Sequence, residues 1–171
     1  DGTDAAMNGA STASFDHSVD VLVVGSGAGA MTAALRAHDG GARVLLIEKS
    51  PLVGGTTAIS GGMVWIPANS KMASIGLSDS IANATDYLDR TIDVPQRREM
   101  REAFLRHADR AIRYMEANTS IQFRAVRQYP DYYPDLPGAT LGGRVIEPVP
   151  FDGRSLGRQF SLLRPPLPEF T

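Results

Sequence analysis

The 171-residue sequence has no cysteine. Disulfides, thiolate nucleophiles and cysteine-held metals are therefore excluded. Histidine is nearly as scarce, and His17, His38 and His107 show no metal-ligand spacing. No metal site is expected, and His107 reads as a residue on a helix surface. An excess of positive charge is also lacking: 17 basic and 19 acidic residues leave a net charge of −2. With no basic stripe, nucleic acid is not an expected partner. No apolar run reaches the length of a membrane-spanning helix. Asp1–Ser18 is small and polar, without the basic start and apolar centre of a secretory signal. It reads as a flexible tail, and the protein as cytoplasmic.

Glycine, by contrast, is plentiful, and its placement is informative. Residues 19–24 (Val-Asp-Val-Leu-Val-Val) form a near-continuous apolar run, which suits a parallel strand buried on both faces. Gly25-Ser26-Gly27-Ala28-Gly29-Ala30 follows. Gly25 permits a tight turn, and Gly27 lets backbone approach a pyrophosphate. Ala30 stands where a small residue lets helix pack on strand. The helix that starts near Ala28 aims its unpaired N–H groups and positive dipole end at the phosphates. Residues 43–47 form a second strand that ends at Glu48. This acid lies about 20 residues past the turn, where a carboxylate accepts hydrogen bonds from a ribose hydroxyl. It would repel a 2′-phosphate, which disfavours NADP.

A second glycine cluster comes directly after: Gly54-Gly55-Thr56-Thr57, then Ser60-Gly61-Gly62 and Trp65-Ile66-Pro67. A plain NAD domain would move into its next strand and helix here. Paired glycines instead bring backbone close to a ligand and offer N–H groups to it. Thr56, Thr57 and Ser60 add hydroxyl donors. The apolar residues Ile59, Met63, Val64, Trp65 and Ile66 argue against a fully exposed loop. The cluster points to FAD rather than NAD.

The downstream chain is plainer. Ser78 or Asp79 is expected to cap a helix running to about Asp89, and a longer helix is predicted from Pro95 to Asn118. Met100, Phe104, Ala108, Ala111, Ile112 and Met115 recur at spacings of three and four and read as its core-facing stripe. Arg97, Arg98, Arg101, Glu102, Arg106, Arg110 and Arg113 read as its solvated face. Residues 121–126 alternate like a half-buried strand. Tyr129-Pro130-Asp131-Tyr132-Tyr133-Pro134 crowds three phenols into one turn, read either as an aromatic packing corner or as part of a substrate pocket. Gly138–Gly143 reads as a loop, Val145–Glu147 as a final strand, and residues 148–171 as an extended proline-rich connection.

The glycine turn, Glu48-Lys49-Ser50, the second glycine cluster and Trp65-Ile66-Pro67 together resemble the flavoprotein family of 3-ketosteroid dehydrogenases. That family is a branch of the fumarate reductase and succinate dehydrogenase superfamily. Pro130-Asp131-Tyr132 and Gly142-Gly143-Arg144…Glu147-Pro148 resemble the same branch. The resemblance implies an α/β, Rossmann-like FAD-binding domain: a parallel sheet with flanking helices, incomplete without a further segment or partner chain. It divides the chain into a tail (1–18), the N-terminal part of the FAD-binding domain (19–157) and the extended connection (158–171).

It also implies non-covalent FAD held by residues 25–30, 48–50, 54–57 and 60–62, and a steroid-like ketone as substrate. A carbon pair beside the ketone would lose hydride to flavin N5 and a proton to a tyrosine. Tyr132 is the candidate catalytic residue and Tyr133 the runner-up. A phenol in water titrates near about 10, so such chemistry requires electrostatic help. A second polypeptide is expected to complete the flavin and substrate domains, making a heteromer. Two other readings stay open: a fumarate reductase-like enzyme of a dicarboxylate, and a flavin-binding subunit with no catalysis of its own.

Overall fold

The computed structural model describes residues 15–92, 94 and 97–170. Most of the expected tail, and Pro95 at the expected helix start, lie outside the described residues.

Two layers build the chain. In the first, β1 (Val21–Val24) pairs in parallel with β2 (Val44–Ile47), Val21 opposite Val44 and Val24 opposite Ile47. Helix α1 (Ala28–Asp39) connects them and packs against both. This strand–helix–strand unit is the parallel α/β arrangement read from the glycine turn. One expectation fails. The run 19–24 suits a strand buried on both faces, yet in β1 and β2 only Val23 is buried; Leu22, Val24 and Ile47 are exposed, Val24 by 74%. Side chains alternate across a strand. The face bearing Leu22 and Val24 therefore stays bare.

The second layer is an antiparallel sheet in the order β3-β5-β4: β3 (Val64–Trp65), β4 (Phe123–Ala125) and central β5 (Val145–Pro148). Ile146 sits opposite both Val64 and Ala125 and is fully buried. It forms the core with Ile66 and with Ala108 and Ile112 of α3 (Arg98–Asn118), and Phe123 packs against that cluster. Helix α2 (Ile81–Thr91) lies alongside α3. Among the described residues no helix is long and apolar enough to cross a membrane.

Four local readings are corrected. Ser80, not Ser78 or Asp79, caps α2 by accepting the Asn83 N–H at 3.1 Å; Asp79 is held by an arginine instead. The buried face of α3 is Leu105, Ala108 and Ile112, whereas Met100, Phe104 and Ala111 are exposed. Phe104 is nonetheless stacked on Trp65, so the stripe is rotated rather than lost. Arg101 is not solvated: it pairs with Asp89 of α2 at 2.9 Å and bonds the Val94 carbonyl. The supposed extended connection winds into 3₁₀ turns over Gly153–Leu162 and then docks against Val53. The two layers meet where Tyr114 of α3 donates to Asp39 at the end of α1, with Arg36 over its ring.

Candidate functional site

The first constellation lies at the carboxyl ends of β1 and β2, where open α/β sheets take ligands. The chain leaves β1 through Gly25 at φ +100°, a conformation that suits glycine. The Gly25 N–H donates to the Ile47 carbonyl at 2.7 Å. Helix α1 begins at Ala28 with Gly27 as its cap, and no side chain of Gly27 exists to satisfy its first N–H groups. Among the described residues only the Ala28 N–H finds a side-chain partner, the Thr57 hydroxyl at 3.0 Å.

Ser26 organises this region. Its hydroxyl is buried, donates to Glu48 at 2.5 Å and accepts the Gly54 N–H at 2.9 Å. One side chain thus ties the glycine turn, the acid and the second glycine cluster together. The Ser50 N–H takes the other Glu48 oxygen at 3.0 Å. The Ser26 hydroxyl first, then the Ser50 N–H, hold the Glu48 carboxyl below its usual pKa. Glu48 is thus an anion with free lone pairs, since a carboxylate has about four acceptor sites.

The second cluster crosses the first at close range. A Cβ on Gly55 would stand 3.4 Å from Gly27 Cα, and one on Gly54 would meet Ala58 at 2.6 Å. Thr56, Thr57 and Lys49 are exposed beside them. Ser60 is exposed and its hydroxyl bonds local backbone, donating to the Thr57 carbonyl and accepting the Gly62 N–H, and Gly61 and Gly62 lead on toward β3. Val24, Gly25, Glu48, Lys49, Gly55, Thr56, Ile59 and Arg164 line an open cavity of about 460 Å³.

The second constellation lies in the antiparallel layer. Arg144, fully buried, makes a two-point pair with Asp79 at 2.7 and 2.8 Å and reaches Asp131 at 2.8 Å and the Gly138 carbonyl at 2.8 Å. Its guanidinium lies over the rings of Trp65 and Tyr87. The Trp65 indole N–H donates to Asp131 at 2.6 Å. Burial works to raise the Asp79 pKa, but the Arg144 bonds, aided by the Ser80 and Ala68 N–H groups, outweigh it and hold the carboxyl below its usual value. The pair is built from both sides: the same contacts raise the Arg144 pKa against its own burial.

This network fixes the tyrosine turn. Asp131 is its buried anchor, whereas Tyr132 is 86% exposed and Tyr133 is also exposed. Tyr132 and Tyr133 line a pocket of about 350 Å³ with Met63, Trp65, Tyr87 and Tyr129. The Tyr133 N–H donates to the Tyr87 hydroxyl. In the sequence Asp131 and Arg144 stand out only within motifs shared with the ketosteroid dehydrogenase family, and nothing local marks Asp79 as their partner. The one available signal was an arginine directly after two glycines.

Residues 20–165 match the family described as FAD binding domain. The chain belongs to that family. Gly29 is a direct test of fit. It sits in the first turn of α1, where glycine costs about 1 kcal/mol relative to alanine, yet a Cβ there would meet nothing within 4 Å. Among the described residues no neighbour requires glycine there, and the space at this helix end stays open. Bare N–H groups, a carboxylate with free acceptors and an open cavity fit FAD.

Known relatives agree. 4-Oxocyclohexanecarboxylate 2-dehydrogenase of Sinomonas cyclohexanicum is 43% identical over 129 residues, covering 75% of this chain and 22% of that protein. 3-Oxosteroid 1-dehydrogenase of Mycobacterium tuberculosis is 40% identical over 146 residues, covering 85% and 26%. The crystal structure of 3-ketosteroid Δ1-dehydrogenase from Sterolibacterium denitrificans in complex with 1,4-androstadiene-3,17-dione superposes with TM-score 0.81 at 48% identity, covering 87% of this chain and 26% of that one. The chain therefore spans about a quarter of the length of the relatives it matches.

Proposed function

We propose that this chain is the cofactor-holding part of an FAD-dependent oxidoreductase that desaturates a carbon pair beside a ketone, with a 3-ketosteroid as substrate. The observation that carries the reading is the Ser26 hydroxyl, which bonds both Glu48 and Gly54, 22 and 28 residues away, beside the cavity lined by Glu48 and Gly55. The N–H groups of Gly27, Gly29 and Ala30 and those of Gly55, Thr56 and Thr57 would hold the diphosphate, and Glu48 would accept the ribose hydroxyls. Bound FAD would supply the acceptor for hydride.

Tyr132, as its tyrosinate, would take up the proton from the carbon next to the one that loses hydride and become the neutral phenol. Its support is its place at the rim of the aromatic pocket, on a turn that Asp131 and Arg144 hold rigid. Pocket walls of Met63, Trp65, Tyr87 and Tyr129 suit a flat apolar substrate. The three relatives above carry ketones in their names, which favours a ketone over a dicarboxylate. The bare face of β1 and β2 supports a further element of this reading: a second polypeptide covers Leu22, Val24 and Ile47 and completes the enzyme.

The test is anaerobic titration of the purified native flavoprotein. A 3-ketosteroid should bleach the flavin absorbance, and succinate should leave it unchanged. Bleaching by succinate alone, or a colourless protein that does not take up FAD, would sink the proposal. Native-gel and intact-mass analysis of the same preparation should show the second polypeptide; a single species of one chain would remove that element.

A further inference from the structure

Arg164 has an unexplained side chain. It follows the 3₁₀ segment Gly153–Leu162, and its place is fixed on both sides of the Val53 peptide. The Val53 N–H donates to the Leu162 carbonyl at 2.8 Å, and the Arg164 N–H donates to the Val53 carbonyl at 2.9 Å. Val53 and Leu163 pair as a parallel bridge directly before Gly54. Pro165 comes next, which favours extended backbone at Arg164. The arginine is thus delivered to the cavity wall by backbone bonds rather than by a loose tail.

Its guanidinium is only partly satisfied. One Nη2 hydrogen reaches the Ser50 hydroxyl at 3.1 Å. The Nε–H is buried and has no hydrogen-bond partner among the described residues. A buried donor left unpaired costs about 1–3 kcal/mol, so such a group calls for an explanation. Arg164 lines the 460 Å³ cavity together with Glu48, Lys49 and Gly55. It stands on the acid's side of that cavity, through its bond to Ser50, whose own N–H is held by Glu48.

We infer that Arg164 is a cofactor-binding residue that closes over the adenosine half of FAD. This rests on the flavin reading of the same site. Glu48 takes the ribose, and the arginine beside it meets the neighbouring part of the nucleotide. A planar guanidinium can stack on an adenine ring while its N–H groups donate to ring or ribose acceptors. Segment 153–164 then works as a strap: it ties the second glycine cluster to the nucleotide end of the cofactor.

FMN lacks the adenosine half, so comparing it with FAD tests the assignment. The native-length flavoprotein is stripped of flavin, and FAD, FMN and ADP binding are measured by flavin fluorescence and calorimetry for wild type and Arg164→Met. FAD and ADP should each bind about tenfold or more weakly in the variant, the loss expected of a charge-assisted contact. FMN affinity should not change. Arg164→Lys, which keeps the charge but loses the planar fork, should show the same FAD-selective loss and serves where the methionine variant does not fold. Unchanged FAD affinity would overturn the inference. Equal weakening of FAD and FMN would also overturn it, because that marks a strap that only shapes the glycine run. Wild-type protein that binds no FAD would bring down the flavin reading itself, an outcome distinct from both.

Discussion

The parallel half and the antiparallel half use their side chains in opposite ways. Around β1, α1 and β2, polar groups are presented and apolar ones are bare: α1 has no buried residue, and Val24 faces outward. Around β3, β5 and β4, a fully buried isoleucine and a fully buried arginine share the interior. The first region is poised to bind and to be covered; the second closes on itself. The difference teaches that the glycine-turn unit leaves its polar and apolar groups open, whereas the other lobe supplies most of the chain's own core.

The sharpest way to break this contrast is Arg144→Met. It leaves the Asp79 and Asp131 carboxylates buried without their cation, and removing one partner of a buried pair costs about 3–5 kcal/mol. Urea denaturation followed by the fluorescence of Trp65, the protein's single tryptophan, should show that loss. A change under about 1 kcal/mol would mean that the network does not hold the lobe. Next in size, Ile146→Ala should cost about 2–5 kcal/mol through the cavity it leaves in the core, with FAD affinity little altered while the protein stays folded.

On the binding side the order reverses. Glu48→Ala should weaken FAD binding by about tenfold while costing the apoprotein less stability than Arg144→Met. A fall in stability with intact binding would erase the distinction between the halves. Smallest of all, Ser80→Ala should cost about 1 kcal/mol by removing the α2 cap, with no effect on flavin.

Acid titration examines both halves together. Asp79 and Glu48 both have folded pKa values below their ordinary ones. Each therefore contributes stability that is present above the unfolded pKa, about 4, and is lost as pH falls through the lower folded value. Trp65 fluorescence and flavin retention should both hold down to about pH 4 and fall below it. Loss of either between pH 5 and 7 would contradict these assignments.

The parallel unit was legible because its signals are local. Gly25, Gly27, Glu48 and the apolar runs lie on consecutive elements, and the observed elements begin and end within two residues of those read. The antiparallel sheet was legible only in pieces. Residues 121–126 and 145–147 were readable as strands, but nothing local joins Val64, Ala125 and Ile146 into one sheet. The α3 stripe was misplaced because Phe104 and Met100 look like core residues, yet the partner surface faces Leu105, Ala108 and Ile112. Arg164 drew no attention because it sat in a stretch read as a connection.

By itself the sequence determined that a glycine turn would join a parallel strand to a helix and that an acid would end the next strand, since backbone sterics and strand periodicity act over neighbouring residues. Only the tertiary structure decided which charges meet: Asp79 with Arg144 across 65 residues, Arg164 with Ser50 across 114. Such pairings depend on where distant segments are brought together in space, and an isolated charge in a sequence does not specify its partner.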